Sequence, residues 1–560
     1  MAAQAVSDIR QNGNEICSEK KKLQEMIKRI TIISVVLMLM HGTALRSQGL
    51  TQETFKIGKT LALLEAIYVD SVDISAITEQ MIINALRNLD PHSVYIPAKD
   101  VQEENEPLQG NFEGIGIQFN LLNDTIIIIS PIPGGPSEKV GIQAGDRIVA
   151  IAGEKVTGVA ISTTGVQKRL RGPKGTKVDV MIFRKGEKEL LDFTITRDKI
   201  PVNSLDAAYM VSGNVGYIKL SRFSEQTANE FAQAVETLRG SRMEHLVIDL
   251  RGNSGGYMVP AVQIADELLS GDELIVYLEG LHTSRQDYKS APLGALTRSR
   301  VAVLIDEGSA SASEILAGAV QDWDRGVIIG RRSFGKGLVQ NGFGLPDGSE
   351  IRLTIARYFT PSGRSIQTPY NEGFDKYFQT YYSRYFNGEL IHPDSLNLPD
   401  SLKAFTIKNK RLVYGGGGIT PDIFIPIDTA FYSDYYRDLI RTSTLTNFML
   451  SYTDINRKQL TRRFSTFTDF NKGFEIDGST LEELKAAGEK NGVRFNQAQF
   501  DVSEPEIKIV MKALVARDLW DMNEYFMVIN GDDQSIMRAL QVLNDPSMYG
   551  RILGYGREVR

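Results

Sequence analysis

Residues Glu307–Gln340 read EGSASASEILAGAVQDWDRGVIIGRRSFGKGLVQ. Ser309, Ser311 and Ser313 alternate with small residues just ahead of an apolar run, which puts one hydroxyl at the mouth of a helix. At the far end Lys336 stands between Gly335 and Gly337. A serine at a helix N-terminus and a lysine flanked by glycines suit a nucleophile and an amine base, provided the fold brings them together.

Ser311 reads in two ways. Ser311-x-x-Glu314 before an apolar run is a capping box, in which the hydroxyl merely closes a helix end. Capping alone does not call for the small neighbours Gly308, Ala310 and Ala312, which leave room for a substrate carbonyl. On the second reading Ser311 attacks, and the helix dipole with the Ala312 amide stabilises the oxyanion. The five histidines, His41, His92, His245, His282 and His392, show no HExxH or paired-ligand spacing, so neither a zinc site nor an obvious histidine base is expected. A lysine serves as base when burial lowers its pKa towards about 7 to 8, and Lys336 is the candidate.

Around this stretch, strands and helices alternate from residue 200 to about 427, the pattern of an α/β core. Val215–Leu220, His245–Leu250, Val301–Ile305 and Glu350–Phe359 are expected strands, and Glu225–Leu238 and Ser313–Gln321 expected helices. After the second strand comes Arg251-Gly252-Asn253-Ser254-Gly255-Gly256, whose glycines let backbone N–H groups approach a cleft. His245 opens a strand and is expected to be structural; His92, in Asp90-Pro91-His92, is expected in a turn.

Residues 111–199 change character to short strand-like runs between glycine-rich turns. Phe112-Glu113-Gly114-Ile115-Gly116-Ile117, followed by Gly141-Ile142-Gln143-Ala144-Gly145-Asp146-Arg147-Ile148, resembles PDZ domains. Gly114, Ile115, Gly116 and Ile117 would then form the carboxylate-binding loop and the strand that pairs with an extended peptide.

The SASASE and Phe334-Gly335-Lys336-Gly337-Leu338-Val339-Gln340 motifs together closely resemble the carboxyl-terminal processing, or tail-specific, serine proteases of peptidase family S41. Leu89–Ser93, Asp249–Gly256, Tyr358–Gln367 and Gly418–Asp422 share the likeness, which spans roughly residues 50 to 430. It implies Ser311 as nucleophile, Lys336 as base, Gln340 orienting the lysine, Ala312 and Gly255, or the adjacent Gly256, as oxyanion amides, and no metal or other cofactor. The implied fold is multidomain α/β: a core of the Clp protease and crotonase kind with an inserted PDZ domain, an N-terminal helical segment and a C-terminal helical extension. Two stretches depart from shorter members, a Tyr-rich insert at 368–417, expected as a local packed subdomain, and the tail from 428.

The expected domains are 1–47 signal peptide or membrane anchor, 48–110 helical segment with two packed helices, 111–199 PDZ, 200–427 Ser-Lys core and 428–560 helical extension. In the tail, Thr480-x-x-Glu483 and Ser503-x-x-Glu506 are expected to cap helices, with Leu514, Leu519 and Trp520 in a core. Ile30–Met40, unbroken by charge, follows Lys28-Arg29 and precedes Gly42-Thr43-Ala44, the order of an export signal. It places the body in the periplasm or cell envelope. Cys17 is the only cysteine, so no intramolecular disulfide forms. A formal charge of −6 gives no reason to expect nucleic acid. The expected partners are unfolded proteins or exposed C-termini, with an adaptor protein, a membrane anchor and a homo-oligomer as further expectations. The rival from another class is a non-catalytic PDZ scaffold or chaperone on a protease fold.

Overall fold

A computed structural model describes residues 51–122, 124–396 and 398–555. The leader or anchor expected over 1–47 lies outside the described residues. The N-terminal helices span Gln52–Ile67 and Ile74–Arg87. The first buries none of its residues, so the expected packing of these two helices against each other is not a buried seam.

The α/β domain is built on a six-stranded sheet in the order 205–212, 215–220, 245–249, 301–305, 327–330, 423–424. The first pair is antiparallel and the rest parallel. His245–Asp249 and Val301–Ile305 are buried at every position, the signature of parallel strands covered on both faces. Helices Thr227–Gly240, Met258–Leu268 and Ala312–Asp322 contribute to one core. The other face is covered by Gln534–Asn544 and Pro546–Ile552, through Ile536, Ala539, Leu543 and Tyr549. The end of the expected C-terminal extension thus completes the layered core.

A second sheet holds strands 94–96, 350–359, 274–280 and 283–289 in that order, with 338–344 also paired to 350–359. Val94–Ile96 pairs with Glu350–Arg352, so residues ascribed to the N-terminal segment also belong to this domain.

Residues 111–201 form a β-domain whose main sheet runs 117–122, 125–131, 147–151, 177–183, 191–196. Strand Ile117–Leu122 is an edge, paired among the described residues only with Thr125–Pro131. Ile115 and Gly116 precede it as loop, not as the expected strand.

Residues 434–519 form helices around Tyr435, Leu439, Met449, Phe470, Leu484 and Met511. Leu514 is buried, and Leu519 and Trp520 pack on that core. The two expected caps fall inside helices: Asp477 caps Gly478–Lys490 and Asn496 caps Gln497–Leu519, each a short polar side chain nearer the true start. The Tyr-rich insert is packed, with helix Phe374–Ser383 burying Tyr377.

Candidate active site

The motif 309–313 leaves strand Val301–Ile305 and enters helix Ala312–Asp322. Ser311 sits at the junction with φ 54° and ψ −111°, a conformation costing a non-glycine residue about 1 to 3 kcal/mol. The flanking serines are buried and committed: Ser309 Oγ donates to the Leu250 carbonyl at 2.8 Å, Ser313 Oγ to the Asn253 carbonyl at 2.9 Å. Ser311 lines a cavity of about 900 Å³, and its hydroxyl makes no capping hydrogen bond. The expected capping-box arrangement of Ser311 and Glu314 is present, and Glu314 Oε2 accepts the Ser311 N–H at 2.8 Å. The strained turn leaves the hydroxyl uncommitted.

Lys336 lines the same cavity. Its Nζ has no hydrogen-bond or ion-pair partner among the described residues, and burial holds its pKa below the usual lysine value. Arg352 acts in the same direction, while Asp90 and Glu314 oppose it. No hydrogen bond joins Lys336 Nζ to Ser311 Oγ in this state. The flanking glycines are dictated by space: a Cβ on Gly335, at φ +93°, would lie 2.3 Å from Thr368 Oγ1, and one on Gly337 3.1 Å from the Gln367 nitrogen. Gln367 Oε1 accepts the Gly337 N–H, and the Thr368 N–H reaches the Gly335 carbonyl.

Glu314 ties the two motifs together. Fully buried, it accepts from Ser333 Oγ (2.6 Å) and the N–H groups of Gly335 (2.7 Å), Lys336 (2.9 Å) and Ser311. Burial pushes its carboxyl up to about 7 against the pull of those four donors. The Tyr358 hydroxyl, 2.6 Å from the Lys336 carbonyl and 3.0 Å from that of Ser311, joins the same two backbones. Sequence reasoning saw Glu314 only as half of a cap and gave Tyr358 no role; a buried glutamate facing a glycine-lysine loop becomes visible only in three dimensions.

Gln340 lines the cavity, yet its Nε2 donates to Thr354 Oγ1 at 3.1 Å and not to Lys336. Strand register is the reason, since Gln340 stands directly opposite Thr354. Gly255 requires a similar correction: its N–H donates to Asn253 Oδ1 at 2.9 Å, an Asx turn that takes the amide out of the oxyanion role. Asn253 is fully buried and anchored to the Leu220 carbonyl. Gly255 instead permits contact, because a Cβ there would lie 2.8 Å from Ser311 Cβ and 2.7 Å from the Ala310 carbonyl oxygen. The neighbouring Gly256 lines the cavity with no hydrogen bond from its N–H among the described residues. Ala312, the first helical residue, also lines the cavity, and the N–H of such a residue has no intrahelical acceptor.

His92 lies in the expected turn, its N–H donating to Asp90 Oδ1 at 2.8 Å, and is also part of the cavity wall. Its Nε2 lies 3.0 Å from the Tyr377 hydroxyl of the insert, and burial with the nearby Lys336 lowers its pKa to about 4. The insert also backs the lysine loop: Arg384 Nη1 donates to the Ser333 carbonyl, Nη2 to that of Arg332, and Phe334 meets Tyr381 at 4.7 Å. His245 is buried at the head of its strand. No group of metal-ligating side chains occurs among the described residues.

In the β-domain, Ile115 is core, its carbonyl accepting from Ser137. Gly116, at φ +73°, would bring a Cβ to 3.0 Å from Ile200. Gly114 pairs with Asp198 at the domain entrance, and Ile117 starts the edge strand.

Comparison with known proteins follows these divisions. Residues 214–373 match the model of peptidase family S41, 114–195 that of the PDZ domain, and 435–521 a family of unknown function, DUF8443. A carboxy-terminal-processing protease of Bartonella bacilliformis is 36% identical over 339 residues, covering 60% of this chain and 77% of that protein. The carboxy-terminal processing protease CtpB of Bacillus subtilis is 38% identical over 317 residues, 56% of this chain and 65% of its own. Among solved structures, a photosystem II D1 C-terminal processing protease is 30% identical over 57% of this chain and 85% of that one, with a TM-score of 0.33.

Proposed function

This chain belongs to the carboxy-terminal-processing proteases, serine peptidases of family S41, and we propose that it is an exported endopeptidase that cuts proteins at or near their C-terminal tails through Ser311 and Lys336. The carrying observation is that, of three motif serines, Ser311 alone has an uncommitted hydroxyl, and it shares its cavity with a buried, unpaired lysine amine.

In the proposed reaction Ser311 Oγ bonds to the scissile carbonyl carbon as its proton passes to neutral Lys336 Nζ. The oxyanion is met by the N–H of Ala312 and of Gly256, which replaces Gly255 in this role. The C–N bond then breaks, Lys336 returns the proton to the leaving amine, and an acyl-enzyme remains. Water attacks the ester with Lys336 again taking the proton, freeing Ser311 and a new carboxyl terminus. Gln340 holds the amine through its Oε1, which can accept from Lys336 Nζ while Nε2 stays bonded to Thr354 Oγ1.

The PDZ domain is proposed to bind substrate C-termini by strand addition, which the unpaired edge of Ile117–Leu122 supports. Export rests on the Lys28-Arg29, Ile30–Met40, Gly42–Ala44 order; fractionation of cells making the tagged chain tests it. An adaptor, an N-terminal anchor and a homo-oligomer stand as proposals, the last read out by mass in solution.

The test of chemistry uses the chain from Gln48 onward with an unfolded protein and a serine-reactive probe. We expect cleavage and labelling at Ser311, both lost in Ser311→Ala, and loss of cleavage in Lys336→Ala. Cleavage persisting in either variant would overturn the assignment.

A further inference from the structure

The helical domain of residues 435–521 matches a family of unknown function, and its contacts give it a task. Helix Thr444–Arg463 lies against the PDZ domain. Asn447 Oδ1 accepts from Asn120 Nδ2 at 2.9 Å, and Asp454 Oδ2 pairs with Arg147 Nη2 at 2.7 Å. A Cβ on Gly145 would lie 3.1 Å from Asp454 Oδ1, so the backbone also comes close.

Asn120, Ile127 and Arg147 are lateral neighbours on three successive strands and therefore share one face of the sheet. The adjacent row, Leu121, Ile126 and Ile148, faces the domain's own core. Two inter-strand steps span about 10 Å, and the seven residues from Asn447 to Asp454 rise about 10 Å along a helix. The helix thus crosses the sheet's outer face from strand to strand. Between its two polar contacts stands Leu450, on the same stripe at +3 and −4. Leu450 is 3% exposed and Ile127 1%, and neither belongs to the core of its own domain.

The other end of the helical domain is tied to the protease sheet. Just beyond residue 521, Asn523 Oδ1 accepts the Ala208 N–H at 2.8 Å, Asn530 Nδ2 donates to the Tyr209 hydroxyl, and Arg251 pairs with Asp533 at 2.7 Å.

We infer that residues 435–533 are a brace: the helical domain holds the PDZ domain by its outer sheet face, the segment just beyond it ties that domain to the protease core through Asn523, Asn530 and Asp533, and the edge of Ile117–Leu122 is left unpaired. The brace itself does not depend on the proposed chemistry; only its consequence, that a bound tail is presented from a fixed position, rests on that reading.

The test is hydrogen–deuterium exchange on the full chain in a Ser311→Ala background, comparing Asp454→Arg, Arg147→Glu and the double charge swap. Each single swap sets like charges together, and amides of 125–131 and 444–463 are expected to exchange about ten-fold faster. The double swap is expected to return them to within about two-fold. Unchanged exchange in both single variants, or no recovery in the double variant, would overturn the brace. Because exchange requires no cleavage, the result stands apart from the fate of the protease assignment.

Discussion

Glu314 Oε2 accepts the N–H of Lys336 at 2.9 Å and, at 2.8 Å, the N–H of Ser311. One buried carboxylate oxygen therefore sets the spacing of two backbones that are 336 − 311 = 25 residues apart. Charge-assisted bonds of this kind are about twice as strong as neutral ones, and here they act where the proposed nucleophile and base must meet.

Replacing Glu314 with Gln exchanges an acceptor for a donor, leaving N–H or O–H groups of the cluster unmatched at about 1 to 3 kcal/mol each. Glu314→Gln is expected to lower kcat by about ten- to a hundred-fold, with KM little changed. Single-turnover rates alongside Tm check that the loss exceeds any loss of folded protein.

Tyr358→Phe removes the hydroxyl shared by the Ser311 and Lys336 carbonyls. The ring remains to fill the core, so the expected result is a roughly ten-fold lower kcat, the size of one buried hydrogen bond. Steady-state kinetics on a tail peptide measure it, and an unaltered kcat would remove Tyr358 from the positioning machinery.

Lys336 is held below the usual lysine range by burial and by Arg352. The neutral amine is the active form, so kcat/KM is expected to rise with pH along an acid limb whose midpoint lies below 10.5, the ordinary lysine value. Removing the Arg352 cation raises the lysine pKa, and Arg352→Ala should move that limb to higher pH. A pH profile that moves the other way would contradict Lys336 as the base.

With a pKa near 4, His92 is neutral across the working range. Its ring proton shifts are expected to stay flat between pH 5 and 8 by NMR. The unfolded chain, with histidine near 6.5, binds the proton first, so stability is lost as pH falls from about 6.5 through 4. The loss is on the order of 3 kcal/mol at pH 4, and a His92→Gln variant should show a correspondingly flatter dependence of Tm on acid pH.

The three motif serines should separate by readout. Ser309→Ala and Ser313→Ala each remove a buried hydroxyl bond and are expected to cost about 1 to 2 kcal/mol of stability, seen as a fall in Tm. Ser311→Ala is expected to keep Tm and abolish acylation by a serine-reactive probe.

The candidate nucleophile and base were legible because their signals are local: small residues around Ser311, glycines around Lys336, and an apolar run that must be a helix. Apolar runs also located three strands of the six-stranded sheet, 215–220, 245–249 and 301–305, to within a residue, but not 205–212, 327–330 or 423–424. The partners of Gly255 and Gln340 were not legible for a shared reason, that a motif names a residue but not its partner. Asn253 turns inward and takes the Gly255 amide, and strand pairing sets Gln340 against Thr354. The caps at Thr480 and Ser503 failed because Asp477 and Asn496 offered acceptors to earlier amides.

By itself the sequence determined the helix that follows Ser311, the glycine-framed loop of Lys336 and the strand pattern of both β-rich domains, since backbone propensity and hydrophobic period are encoded within a few residues. Tertiary structure alone decided that Ser311 keeps its hydroxyl uncommitted while its neighbours spend theirs, that Glu314 holds both loops, that residues 534–552 close the core, and that helix Thr444–Arg463 lies across the PDZ sheet. Those facts depend on which buried donor meets which acceptor and which apolar face meets which. Such pairings are fixed by packing between segments far apart in the chain.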